Sequence, residues 1–131
     1  MSSPLPLDVR HLQTPTDQRG AGWWMAEHRI AEQAVTSAAG MIDHATSKEM
    51  AYYGRRHLDT RLDHLERVED ICDEILAELR RTAPPWVADV CERHYIKGET
   101  WASIGSRHGM SGNYARGKVL RELSRVEVAS A

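Results

Sequence analysis

A chain of 131 residues has room for one domain, or for a small domain with a helical arm, but not for a large two-lobed enzyme. The formal net charge of -2 conceals an uneven distribution. Residues 41–83 hold 7 Lys and Arg against 10 Asp and Glu, whereas residues 105–126 hold 5 against 1, and local charge is what a polyanion meets. No apolar run reaches about 18 residues and no signal-peptide core is present, which argues against membrane insertion and export and leads us to expect a cytoplasmic protein.

Residues 1–22 carry Pro4, Pro6, Pro15 and Gly20 among scattered polar side chains, without periodicity, and read as a loosely packed leader. The spacing then predicts a helix over residues 23–38, ended by Gly40, with Trp23, Ala26, Ile30 and Ala34 on one face. Two adjacent tryptophans cannot share that face, so Trp24 is left to cover another element or a partner, or to stay partly exposed.

From residue 46 to residue 81 there is no proline, and Leu58, Leu62, Leu65, Val68, Cys72, Ile75 and Leu79 recur at helical steps opposite a heavily charged face. This predicts a long amphipathic helix of roughly 50 Å. Its stripe needs cover from the preceding helix, from a second copy of itself in a homodimer through residues 46–81, or from both. Cys72, on that stripe, and Cys91 lack metal-knuckle spacing and read as buried free thiols. His44, His57 and His64, on or near the same helix, read as solvated side chains, although His57 and His64 could form half of an intersubunit metal site.

The run "RTAPPW" stops the long helix near Ala83 and starts the next, because the residue before a proline avoids helical dihedrals and proline is tolerated in a first turn. Trp86, Val87, Val90, Cys91, Tyr95 and Ile96 mark the apolar face of that helix, up to Lys97 and Gly98. Thr100 then N-caps a two-turn helix whose inner side is Trp101, Ala102, Ile104 and Gly105. Gly109 suits the left-handed turn that ends it, and Ser111 caps a last helix with Tyr114, Ala115, Val119, Leu120 and Leu123 as its expected buried side. No strand signal occurs. The fold class expected is all-α: a 23–82 helical arm, made of a short helix and a long amphipathic one, then a small helix-turn-helix domain over 83–131.

The last helix carries Asn113, Arg116, Gly117, Lys118 and Arg121 on its expected outer face. Asparagine can pair with adenine N6 and N7, arginine with guanine O6 and N7, and a helix N-terminus favours phosphate. These features fit a helix entering the major groove of double-stranded DNA. They also fit the solvated face of an ordinary helical bundle.

The run "VCERHYIKGETWASIGSRHGMSGNYARGKVLRELSRV" resembles region 4 of bacterial sigma factors through His94-Tyr95, Gly98, Thr100-Trp101, Ile104-Gly105, His108-Gly109-Met110-Ser111, Ala115-Arg116 and Leu123. It departs from that family at His94, Gly105, Gly112 and Gly117, and the chain lacks the aromatic-rich segment with which sigma factors open promoter DNA. A long amphipathic helix followed by such a module is similar to small phage and prophage late-transcription regulators of the ArpU and RinA kind. The resemblance implies sequence-specific DNA binding, with contacts to RNA polymerase as a further expectation. Asn113 and Arg116 are then expected to meet base edges, Ser111, Lys118 and Arg121 phosphates, and Arg107 the flanking backbone.

Catalysis finds little support in the sequence. "GAG" and "GMSG" lack the strand and lysine of a phosphate loop, no nucleophile-base-acid ordering stands out, and no cofactor or metal is expected. The competing reading is an interaction protein, either a small-terminase-like subunit for phage DNA packaging or an adaptor that binds polymerase without touching DNA.

Overall fold

The computed structural model describes residues 11–129, all of whose regular structure is helical. After a 3-10 turn at Thr16–Gln18 come α1 (Ala21–Asp43), α2 (Lys48–Thr82), α3 (Pro85–Tyr95), α4 (Trp101–His108) and α5 (Gly112–Leu123). The fold is all-α, as the periodicity predicts. No described helix is long and apolar enough to cross a membrane.

Local chemistry sets the helix ends. Ser47 caps α2 by accepting from the Met50 amide at 3.1 Å, and Ala83, in extended backbone before Pro84, ends it. Thr100 and Ser111 cap α4 and α5 in the same way, accepting from the Ser103 and Tyr114 amides at 3.2 and 3.1 Å. Gly109 closes α4 in the left-handed region at φ 68°. Gly40, expected to end the first helix, lies inside α1. The helix continues to Asp43, and His44 caps it by directing its backbone N–H and ring Nδ1 at the Gly40 carbonyl.

α1 and α2 form a long antiparallel hairpin. At its base the Cys72 thiol donates to the Trp24 carbonyl at 3.5 Å, and near its turn Ile42 lies against Gly54. α3 folds back over the C-terminal part of α2, and α4 and α5 close the base. One core runs through all five helices, including Met25, Val68, Ile75, Leu79, Val90, Ile104, Val119 and Leu123. Helices from residues 23–82 and from residues 83–129 contribute to this core, and the stripe from Val68 to Leu79 packs with this chain's own α1 and α3. What another copy could still cover on α2 lies toward the hairpin turn, where Met50, Tyr52, Tyr53 and Leu62 are exposed.

The phase of α1 differs from the expectation. Its buried positions include Ala21, Trp24, His28, Ala31 and Ala38, whereas Trp23, Ala26, Ile30 and Ala34 are only partly covered. Trp24 takes the core position at 6% exposure. Trp23 is met by the segment before α1: its indole N–H donates to the His11 carbonyl at 2.8 Å, the His11 ring stacks on it at 4.3 Å, and the Arg19 guanidinium lies 4.3 Å from its centroid. Residues 11–20 of the expected leader thus include a buried anchor, His11, and residues 21 and 22 already belong to α1. The remainder of that leader, with Pro4 and Pro6, lies outside the described residues.

His11 and His64 both direct Nε2 at the buried Glu27 carboxylate, each at 3.3 Å from a different oxygen. His64, expected to be solvated, is therefore half-buried against α1, while His57 is exposed. Among the described residues no group of three or more ligand-type side chains is placed to hold a metal ion. The two cysteines are buried free thiols, as expected, and burial pushes each thiol up to about 12, so both stay protonated.

Candidate nucleic-acid interface

The sharp approach of α4 to α5 rests on two glycines. A Cβ on Gly105 would lie 2.5 Å from the Met110 carbonyl oxygen, and one on Gly112 would lie 2.9 Å from the Ala102 nitrogen. Gly112, one of the departures from the sigma pattern, therefore admits the backbone of α4. Its helix-weakening effect is offset by the close packing it allows. Ile104 from α4 shares the core with Ala115, Val119 and Leu123 from α5, and Gly105 is buried at the crossing.

The buried side of α5 is Ala115, Val119, Glu122 and Leu123. Tyr114 and Leu120, expected on that side, are 58% and 37% exposed. At about 100° per residue, Tyr114 is turned away from Ala115, and its ring faces Trp86 of α3 at a centroid distance of 6.3 Å. The outer face carries Asn113, Arg116, Gly117 and Arg121, all exposed. Among the described residues neither the Arg116 nor the Arg121 guanidinium has a hydrogen-bond or ion-pair partner, and the Asn113 amide has none either.

The other expected contacts are placed differently. Lys118 is half-buried and gives its ammonium to the buried Glu122 carboxylate at 3.1 Å, where Arg125 adds a second contact at 3.3 Å. Arg107 pairs with Glu99 at 3.0 Å, an oxygen that Arg93 also approaches at 3.6 Å. Ser111 is exposed, but its hydroxyl oxygen is occupied as the helix cap. The structure thus separates the six residues into three with side chains free at the surface and three with internal partners.

His94 ties this region together. Its ring stacks on Trp101 at 3.8 Å and 19°, and its Nδ1 lies 2.8 Å from the Glu99 carbonyl, so Nδ1 carries the proton in the neutral tautomer. Burial depresses its pKa. The Glu99 carbonyl works in the opposite direction, and the Arg29 and Arg116 guanidiniums depress it further. Tyr95, next in the chain, is pushed up to about 12 by burial first, then by Cys91.

Arg29 belongs to α1, and the sequence reading missed it. Nothing local marks it out, since it is a single arginine in an alanine-rich helix. Only the packing of α1 against α3 and α5 brings its charge to the same imidazole as that of Arg116.

Comparison of the chain with protein-family models, with curated proteins and with solved structures gives no match.

Proposed function

We propose that this chain is a sequence-specific DNA-binding transcription regulator whose α4 and α5 act as a helix-turn-helix, with α5 entering the major groove. The single observation that carries the reading is the outer face of α5, where Asn113, Arg116 and Arg121 lie exposed without internal partners on a chain rich in acid elsewhere. Exposed guanidinium groups with no internal carboxylate are free to pair with phosphate or guanine. The resemblance to sigma region 4 and to small phage late-transcription regulators points the same way and adds RNA polymerase as a second partner. In this reading Asn113 and Arg116 read base edges and Arg121 holds phosphate. Lys118 and Arg107 reach DNA only by leaving Glu122 and Glu99.

The test is selection of bound duplexes from a random DNA pool, with the mass of the complex measured alongside. An enriched motif is expected, and a palindrome would identify a dimer, because two-fold proteins read two-fold sites. A pool that emerges unenriched would overturn the reading.

A second reading, an assembly subunit for DNA packaging or a polymerase-binding adaptor, is favoured by the far end of the hairpin. There Met41, Met50, Tyr52 and Tyr53 are exposed, more apolar surface than a helical arm needs for itself. A ring-sized complex in the mass measurement would select packaging, and polymerase capture without duplex binding would select the adaptor.

A further inference from the structure

We propose that the groove between α1 and the end of α3 seats the sugar-phosphate backbone of duplex DNA alongside α5, with Arg29 as its cationic contact. This rests on the reading of α5 as the DNA-entering helix and extends that interface to the N-terminal hairpin.

The groove encloses about 400 Å³. Ala26, Ile30 and Tyr95 give it an apolar lining, His11, Arg29, Gln33 and His94 supply polar groups, and no Asp or Glu lines it among the described residues. Arg29 is exposed and, among the described residues, has no hydrogen-bond or ion-pair partner. Arg116 of α5 is likewise without a hydrogen-bond or ion-pair partner among the described residues, and both guanidiniums act on the His94 imidazole. Two cations that act on one half-buried imidazole, with no carboxylate paired to either among the described residues, favour an anion close by. Gln33, one turn beyond Arg29 on α1, offers an amide N–H to the same anion.

Geometry decides for a backbone phosphate over a base edge. α1 packs against α5, and in this proposal, with α5 in a major groove, α1 meets the strand that borders it. Contacts from flanking elements to that strand set register and carry no sequence information. The alternating character of the lining also suits deoxyribose, whose carbon face meets Ile30 and Tyr95 while the phosphate meets Arg29.

The experiment compares the full chain with Arg29→Ala, Arg29→Lys, Arg116→Ala and Arg56→Ala. The last removes an exposed arginine near the hairpin turn, far from the groove. Each protein is first matched for thermal melting and then titrated with a mixed-sequence duplex across a salt series. Arg29→Ala is expected to make the slope of log affinity against log salt shallower by about 0.9, the loss of one phosphate contact, with unchanged base preference in a duplex selection. Arg29→Lys is expected to restore the slope, Arg116→Ala to weaken binding and alter base preference, and Arg56→Ala to match the parent. If Arg29→Ala keeps the parental slope while Arg116→Ala loses binding, the groove is not a backbone seat and the DNA-binding reading survives. If all four proteins bind as the parent does, the reading of α5 fails and the groove proposal fails with it.

Discussion

Gly105 and Gly112 face one another where α4 crosses α5, and a Cβ added to Gly105 would stand 2.9 Å from the Gly112 nitrogen. Backbone blocks the methyl here, and backbone cannot rotate away. Gly105→Ala should therefore cost about 1–3 kcal/mol through overpacking. Gly117 is the counterexample on the same helix: nothing lies within 4 Å of its added Cβ, so Gly117→Ala should stabilise by about 0.5–1 kcal/mol through helix propensity. Paired thermal melts check both signs, and equal shifts in one direction would show that the crossing is looser than described.

Trp101 begins α4 with its ring against His94 at 3.8 Å and Tyr95 edge-on at 5.9 Å. It remains partly exposed, so Trp101→Ala should cost about 2–4 kcal/mol, less than a wholly buried tryptophan. Chemical denaturation measures this. A parental midpoint would mean that the stack contributes nothing to folding.

The depressed pKa of His94 gives the fold an acid-sensitive window. Because the unfolded chain binds the proton more tightly, the stability associated with His94 is complete above its ordinary value of 6.5 and is lost as pH falls from there through the depressed folded value. Melting temperature should drop over that interval in the parent. In His94→Phe, which keeps an aromatic ring against Trp101 but cannot titrate, the drop should be smaller. Identical pH profiles for the two proteins would rule out His94 as the source.

For DNA, the two free arginines of α5 should behave differently. Arg116→Ala should weaken binding to the selected site by about 1–3 kcal/mol and relax preference at one base, whereas Arg121→Ala should weaken all duplexes alike. Competition between selected and scrambled duplexes separates the two effects. Loss of preference in Arg121→Ala alone would exchange the roles.

Lys118 needs a different expectation from its neighbours. Its ammonium neutralises the buried Glu122, so Lys118→Ala should lower folding stability by about 1 kcal/mol, with Arg125 holding the carboxylate in part. Thermal melting without DNA tests this. If stability stays parental and only DNA affinity falls, the ammonium serves DNA after all.

The sequence by itself determined the helices and most of their ends. The hydroxyls of Ser47, Thr100 and Ser111 cap by accepting from backbone N–H groups three residues on, Pro84 stops α2 from the next position, and Gly109 turns the chain within one residue. Such forces act over a few residues and are legible in order. Rotation about the helix axis is a different matter. Tertiary packing alone chose Trp24 over Trp23 for the core and left Leu62 at 44% exposure on a stripe whose other end is buried. It also turned Tyr114 outward, tied Lys118 to Glu122, and brought Arg29 to the imidazole that Arg116 also acts on. Periodicity fixes the spacing of a face, but its phase depends on where the partner helix lies, and an alanine-rich helix such as α1 allows more than one phase. A surface assembled from α1 and α5 therefore exists only once the chain has folded.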